Sequence, residues 1–156
     1  MTVDDVTIEP TPLADPHAAE LIAELNELLD SIYPPEDNHF TLSADDVDGS
    51  NGVFLVARHP SGKALGCGAV RLLGDGRAEL KRMYVRPAAR GVGLGRAILA
   101  RLEAEARDRG ATRLVLEMGP GQPEARRLYE SFGFVPIPCW GEYVETPNSV
   151  CLGKDL

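Results

Sequence analysis

The sequence of 156 residues is poor in cysteine and lacks long apolar runs, which are features of disulfide-rich and membrane proteins. Its three cysteines, Cys67, Cys139 and Cys151, are odd in number and widely spaced, which predicts neither a disulfide framework nor a zinc site. No apolar run approaches the roughly 20 residues that span a bilayer, and the acidic start does not resemble a signal peptide. These absences predict a cytoplasmic domain with no metal and no membrane partner.

Basic residues are missing from the first third of the chain. Residues 1–57 hold 13 Asp and Glu and no Lys or Arg, whereas residues 58–156 hold 11 acidic and 16 basic residues. The net charge of -8 opposes a nucleic-acid partner, because phosphate contacts need a basic surface. The asymmetry indicates either that different stretches handle differently charged ligands or that the acidic surface is merely solvated.

Proline and glycine separate alternating helical and strand-like patterns. Strands are predicted at Val53–Arg58, Ala64–Leu73, Arg77–Val85, Thr112–Leu116, Phe134–Ile137 and Ser149–Leu152. Helical periodicity runs from Asp15-Pro16 to about Tyr33, near Ser43–Val47, over Leu94–Ala106 and over Pro123–Phe132. The order predicts an α+β domain, in which a three-stranded antiparallel meander precedes a strand–helix–strand–helix–strand unit.

Three glycines at alternate positions stand between a predicted strand and a predicted helix, in the run Arg90-Gly91-Val92-Gly93-Leu94-Gly95-Arg96. A backbone without Cβ atoms approaches a ligand closely and takes positive φ where needed. Successive N–H groups at a helix N-terminus form an anion site, to which the two arginines add full charges. The run therefore predicts a site for a pyrophosphate or a similar anion.

This glycine run resembles a known motif. Arg90-x-x-Gly93-x-Gly95 is similar to the acyl-CoA pyrophosphate motif of the GNAT superfamily. One helix and one strand later, Gln122-x-x-Ala125-x-x-x-Tyr129 is similar to the Asn-x-x-Ala-x-x-x-Tyr segment of that family, with Gln122 in place of its usual Asn. With the meander, the resemblance covers about residues 53–137.

The resemblance implies a GNAT-like fold: a mixed central sheet with an antiparallel N-terminal meander, a splayed strand pair and flanking helices. It implies one domain over 1–156, with an acceptor-side helix and loop in 1–52, an acyl-CoA-binding core in 53–137 and a closing loop and strand in 138–156. It also implies acetyl-CoA as co-substrate, and a homodimer is the family expectation. The residues implied to contact acetyl-CoA are Met83, Tyr84, Val85, Arg90, Gly91, Val92, Gly93, Leu94, Gly95, Arg96, Gln122 and Arg126.

Two residues are the candidates for acid–base chemistry. The phenol of Tyr129 is suited to protonate the departing CoA thiolate, whose thiol has a pKa near ~8.5. The other interpretation of Tyr129 is a core tyrosine. Glu79 is the candidate base, because an amine that arrives as an ammonium must lose a proton before it attacks a thioester. The other interpretation of Glu79 is a surface residue on a half-exposed strand, paired with Lys81 or Arg77.

The resemblance places the acceptor side at the end of the first helix and the loop after it. Tyr33, Glu36 and His39 are the predicted substrate contacts there, within the stretch that has no basic residue. This charge predicts a cationic acceptor, either a small-molecule amine such as a polyamine or an aminoglycoside, or a protein lysine.

Two other functions fit parts of the pattern. A dinucleotide-binding unit would also place a glycine loop between a strand and a helix. However, Arg96 occupies the position of its closing glycine, and the preceding strand carries Glu79, Lys81 and Arg82 instead of a continuous apolar run. A non-catalytic domain of the same fold that senses acyl-CoA is the second alternative, and turnover separates it from an enzyme.

Overall fold

A seven-stranded mixed sheet carries helices on both faces in the computed structural model, which describes residues 2–33 and 42–156. The strands are β1 (Thr7–Pro10), β2 (Gly52–Arg58), β3 (Ala64–Gly74), β4 (Arg77–Val85), β5 (Arg113–Met118), β6 (Val135–Pro136) and β7 (Val150–Asp155). The helices are α1 (Pro16–Ile32), α2 (Ala44–Val47), α3 (Leu94–Asp108) and α4 (Pro123–Ser131). The spatial order of the strands is β1-β2-β3-β4-β5-β7-β6.

Local signals account for the bounds of α1. Asp15 caps it by accepting a hydrogen bond from the backbone N–H of His17 at 2.8 Å, and Pro16 occupies the first helical position. The helix ends at Tyr33, whose backbone is extended, as expected of a residue that precedes a proline. Its apolar face packs through Leu21 and Leu25 against one side of the sheet, and α3 and α4 cover the other side.

The sheet confirms the predicted α+β architecture and excludes the doubly wound alternative. Among the described strands every neighbouring pair is antiparallel except β4 and β5, whereas a doubly wound sheet is mostly parallel. Within residues 2–33 and 42–156, no helix is long and apolar enough to cross a membrane.

Strands β4 and β5 separate soon after they begin to pair. Their register holds only from Arg77↔Arg113 to Glu79↔Val115, which leaves the remaining six residues of β4 unpaired on this side. The result is the predicted splayed pair, with a wedge-shaped gap inside an otherwise continuous sheet. A gap of this kind exposes backbone N–H and C=O groups that a ligand with its own polar atoms would satisfy.

A β-bulge lies on β4 beside the gap. Cys67 pairs with Tyr84 and Ala69 with Lys81, so two residues of β4, Arg82 and Met83, oppose one residue of β3. Arg82 has a φ of 57°, in the left-handed region. Bulges bend a strand and redirect its backbone, and they are common beside active sites. Here the bulge lies in the part of β4 that no longer pairs with β5.

Two features of the structure differ from the predictions. Strand β1 was not expected, because its four residues are nearly all exposed and lack the apolar alternation that marks a strand. The expectation of no disulfide was wrong: Cys139, in the loop after β6, is bonded to Cys151 on β7. Cys67 is free and buried, and burial raises the pKa of its thiol to about 12. It is therefore unsuited to act as a nucleophile.

Candidate functional site

Two adjoining cavities open at the gap between β4 and β5. One, of about 530 Å³, is lined by the glycine run, and we call it the glycine-loop cavity. The other, of about 710 Å³, has Glu79 and Glu117 in its wall, and we call it the carboxylate cavity. The walls of both include Met83, Gln122, Ala125 and Tyr129. These shared residues line the junction of the two cavities, where a ligand in one would meet a ligand in the other.

The glycine loop has the geometry of an anion site. Gly91 and Gly93 have φ values of 84° and 86°. Apart from the adjacent residues of the loop, no atom in residues 2–33 and 42–156 lies within 4 Å of the position of a Cβ on either. Gly93 is the N-cap of α3 and has no side chain with which to cap the helix, so within the described residues N–H groups of the first turn are available to a ligand. Gly95 faces Leu128 of α4, whose Cδ2 would lie 3.5 Å from a Cβ.

Most of the residues predicted to hold acetyl-CoA line the glycine-loop cavity. They are Met83, Tyr84, Val85, Arg90, Gly91, Gly93, Leu94, Gly95, Arg96 and Gln122. Two predicted residues lie elsewhere: Val92 packs on the core beside the loop, and Arg126 forms an ion pair with Glu130 at 3.6 Å. The structure therefore brings the end of β4, the glycine loop and the start of α4 together around one space.

The two arginines of the loop are exposed, and both are pre-positioned. Arg90 donates from Nε to the carbonyl oxygen of Val85 at 2.9 Å, which ties the loop to the end of β4. Arg96 donates to Oγ of Ser131 at 2.9 Å and lies over the ring of Phe132, with its guanidinium carbon 4.9 Å from the ring centre. Both place a positive charge at the mouth of the glycine-loop cavity, beside the N-terminus of α3.

Tyr129 stands at the junction of the two cavities. Its side chain is packed edge-on against Phe134, with the ring centres 5.7 Å apart, and only 7% of the residue is exposed. Burial raises the pKa of its phenol above the ordinary value, so the group stays protonated at neutral pH. The two interpretations of Tyr129 are thus compatible, because the ring belongs to the core while the residue lines both cavities.

Glu79 is buried, whereas the alternative interpretation placed it on the surface of a half-exposed strand. It is 1% exposed, and its hydrogen-bond partners are Arg71 and Tyr143. Its charge also acts on Lys81. Arg71 donates to Oε1 from two nitrogens at 2.9 Å each, and the hydroxyl of Tyr143 donates to Oε2 at 2.6 Å. The half-exposed surface position was wrong because the segment that carries Tyr143 folds back over this face of the sheet.

Three residues of the carboxylate cavity escaped the sequence analysis: Glu117, Tyr143 and Ser149. Glu117 is half-buried on β5 and accepts a hydrogen bond from Oγ of Ser149 at 2.7 Å. Burial raises the pKa of its carboxyl group above the ordinary value, although the hydrogen bond from Ser149 acts to lower it. The negative charge of Glu79 raises the pKa further. A glutamate directly after the apolar run Leu114-Val115-Leu116 was the signal in the sequence that could have found it.

Lys81 and Arg82 bring positive charge to the same wall. Lys81 is buried on β4, and its Nζ lies 3.4 Å from the hydroxyl of Tyr143. Burial lowers the pKa of Lys81, and the same cause lowers that of Arg82. The carboxylate cavity is therefore of mixed charge rather than uniformly acidic.

Tyr33 joins the end of α1 to the loop between β5 and α4. Its hydroxyl donates to the carbonyl oxygen of Pro120 at 2.6 Å and accepts from Nε2 of Gln122 at 2.9 Å. The ring lies against Gly119, where an added Cβ would stand 2.5 Å from Cζ. The amide of Gln122 thus binds Tyr33 at the cavity wall. The other two predicted substrate contacts, Glu36 and His39, lie outside the described residues.

Comparison with known proteins assigns the family. The model of the acetyltransferase (GNAT) family matches residues 20–134, most of the chain. The chain is 40% identical to an IAA acetyltransferase of Azospirillum brasilense, over 94% of each protein, and 34% identical to the uncharacterized N-acetyltransferase YsnE of Bacillus subtilis, over 88% of this chain and 93% of YsnE. A structure of a candidate acyl-CoA N-acyltransferase from Klebsiella pneumoniae superposes with a TM-score of 0.83 at 34% identity, over 97% of both chains. The protein therefore belongs to the GNAT family and is an N-acetyltransferase.

Proposed function

We propose that the protein transfers the acetyl group of acetyl-CoA to a primary amine by direct attack of the amine, with Tyr129 as general acid. The observation that carries the proposal is the position of Tyr129 at the junction of the glycine-loop cavity and the carboxylate cavity. Membership of the GNAT family supports the same reaction.

The residues of the glycine-loop cavity fit acetyl-CoA. The uncapped N-terminus of α3, with Arg90 and Arg96 beside it, supplies N–H donors and positive charge for the pyrophosphate. The unpaired edge of β4 around Met83, Tyr84 and Val85 offers backbone groups to the amides of the pantetheine arm. When bound there, acetyl-CoA would supply a thioester, whose C–S bond breaks as the C–N bond to the amine forms.

The reaction requires two proton transfers, one from the amine and one to the thiolate. The amine arrives as an ammonium and gives one proton to a carboxylate of the carboxylate cavity, directly or through water. Glu79, the candidate from the sequence, and Glu117 are the two carboxylates on the sheet wall of that cavity. The phenol of Tyr129, kept protonated by its burial, gives a proton to the departing thiolate. Backbone N–H groups near the bulge of β4 would polarise the thioester carbonyl in an oxyanion-type role.

The acceptor we propose is a cationic small-molecule amine or a lysine side chain. Asp30, Glu79 and Glu117 in the cavity wall support it, since each is an acidic side chain that lines the space. Lys81 and Arg82 limit the argument, because they would attract an anionic group on the same molecule. The Azospirillum relative is named for IAA, so IAA belongs in any panel of test compounds.

The experiment is acetyl-CoA-dependent release of free thiol across a panel of cationic, neutral and anionic amines, with product confirmed by mass spectrometry. We expect turnover with cationic amines at the highest kcat/KM, and loss of turnover in Tyr129→Phe. Binding of acetyl-CoA is measured separately by calorimetry. Tight binding with no turnover over the whole panel would contradict the enzyme mechanism and favour an acyl-CoA sensor. Turnover confined to anionic amines would contradict the proposed acceptor class alone.

A further inference from the structure

We propose that Glu117 on β5, rather than Glu79 on β4, takes the proton from the attacking amine, and that Glu79 is a positioning residue that holds Tyr143. The assignment rests on the proposed acetyl transfer to an amine. The proton passes from the ammonium nitrogen to a carboxylate oxygen, which leaves a neutral amine and a carboxylic acid. The acid then returns its proton to solvent.

The position of Glu117 along the gap is the first argument. β4 and β5 run parallel, and their pairing ends at Glu79↔Val115. Glu117 lies two residues further along β5, about 7 Å at ~3.3 Å per residue, in the direction in which the strands separate. Glu79 stands at the closed end of the gap. The junction with the glycine-loop cavity lies beyond the point of separation, because Met83 on β4 and Gln122 after β5 mark it.

The hydrogen bonds of the two carboxylates are the second argument. Both oxygens of Glu79 are engaged, Oε1 by two nitrogens of Arg71 and Oε2 by the hydroxyl of Tyr143. A proton arriving on either oxygen would remove the negative charge that strengthens these hydrogen bonds. Glu117 accepts one hydrogen bond, to Oε2 from Ser149, and within residues 2–33 and 42–156 no donor is bonded to Oε1. Glu117 therefore has an oxygen available for a proton.

The electrostatic surroundings are consistent with a base. A carboxyl group whose pKa is raised toward neutrality is a better proton acceptor at physiological pH than one with an ordinary pKa. Burial raises the pKa of Glu117 in this way. Three titratable groups act on the carboxyl of Glu117: Glu79 and Lys81 on β4, and Glu142 in the short 3-10 helix Gly141–Tyr143. The charge of Glu117 in turn acts on the phenols of Tyr33, at the end of α1, and Tyr143.

Ser149 sets the orientation of the carboxylate. Its hydroxyl is bonded to Oε2 of Glu117, and it stands two residues before Cys151, which is the register partner of Glu117 on β7. Cys151 is disulfide-bonded to Cys139, which anchors the segment that carries both Ser149 and Tyr143. One loop therefore supplies a hydrogen-bond donor to each of the two carboxylates.

The test uses the amine that the wild-type enzyme acetylates best and measures kcat/KM from pH 6 to pH 10. We expect Glu117→Gln to lose about 100-fold or more at pH 7, since a general base contributes on the order of 10²–10⁴. The loss should shrink as the pH nears the pKa of the amine, about 10.4 for a lysine-type group, because the substrate then arrives deprotonated. Glu79→Gln should lose less, by the same factor at every pH. Glu145→Gln, an exposed glutamate of the same loop, is the matched control and should equal the wild type.

Thermal unfolding and acetyl-CoA calorimetry show whether each variant is folded. If Glu117→Gln is unstable, Glu117→Ala with added formate gives a second reading, since a small carboxylate that enters the cavity should restore part of the rate. Glu117→Gln within threefold of wild type, or with an equal loss at every pH, overturns the assignment, as does the absence of rescue by formate. A wild-type enzyme that acetylates no amine overturns the proposed function itself, before any variant is made.

Discussion

Tyr129→Phe separates catalysis from stability at the junction of the two cavities. The phenol of Tyr129 forms no hydrogen bond with the part of the chain that the structure describes, and its ring packs edge-on against Phe134. Phenylalanine keeps that packing and removes only the hydroxyl. We therefore expect the free energy of unfolding to change by less than about 1 kcal/mol, which is a Tm shift of under about 4 °C.

Turnover should behave differently. Loss of a general acid typically lowers the rate on the order of 10²–10⁴-fold, which corresponds to about 3–5 kcal/mol in the activation free energy. The sign of the pH dependence follows from the leaving group. A thiol with a pKa near ~8.5 leaves as a stable thiolate at higher pH and no longer needs a proton. The defect of Tyr129→Phe should therefore be largest near pH 7 and smaller above about pH 8.5.

Tyr143→Phe is the matched control, because it removes the same hydroxyl from the same cavity. That hydroxyl donates to the buried carboxylate of Glu79 at 2.6 Å. A hydrogen bond to a charged group contributes about 1.5–3 kcal/mol, so this variant should lose about 3–12 °C in Tm. Thiol-release kinetics and thermal unfolding on both variants make the comparison. If Tyr129→Phe folds as the wild type and keeps kcat within about threefold at pH 7, the general-acid role is refuted.

Three further outcomes test other parts of the site. Gly93→Ala places an alanine at a φ of 86°, which should cost roughly 1–2 kcal/mol in stability and weaken acetyl-CoA binding by calorimetry; unchanged affinity would contradict the role of the loop. Gly119→Ala puts a Cβ 2.5 Å from the Tyr33 ring, so Tyr33 must move. KM for the amine should then rise more than KM for acetyl-CoA, and equal effects on both constants would argue against an acceptor-side role of Tyr33. Reduction of the Cys139–Cys151 disulfide should lower Tm by about 6–12 °C, since a loop of this length contributes about 3 kcal/mol; a Tm independent of reductant would show that the bond does not form.

The sequence alone predicted the elements whose causes are local. A capping aspartate with a following proline set the start of α1, and the alternate glycines predicted the loop before α3. These signals work because caps, proline and glycine act on the backbone within a few residues of themselves. The splayed strand pair followed from the resemblance to GNAT proteins, not from any single residue.

The tertiary structure decided what depends on residues far apart in the chain. The environment of Glu79 is set by Arg71 on the neighbouring strand and by Tyr143, 64 residues later. The cavity position of Glu117, its bond to Ser149 and the Cys139–Cys151 disulfide all depend on how β7 returns beside β5. The burial and the partners of a side chain depend on which strands and loops pack around it. The periodicity of one strand does not determine which distant segments those are.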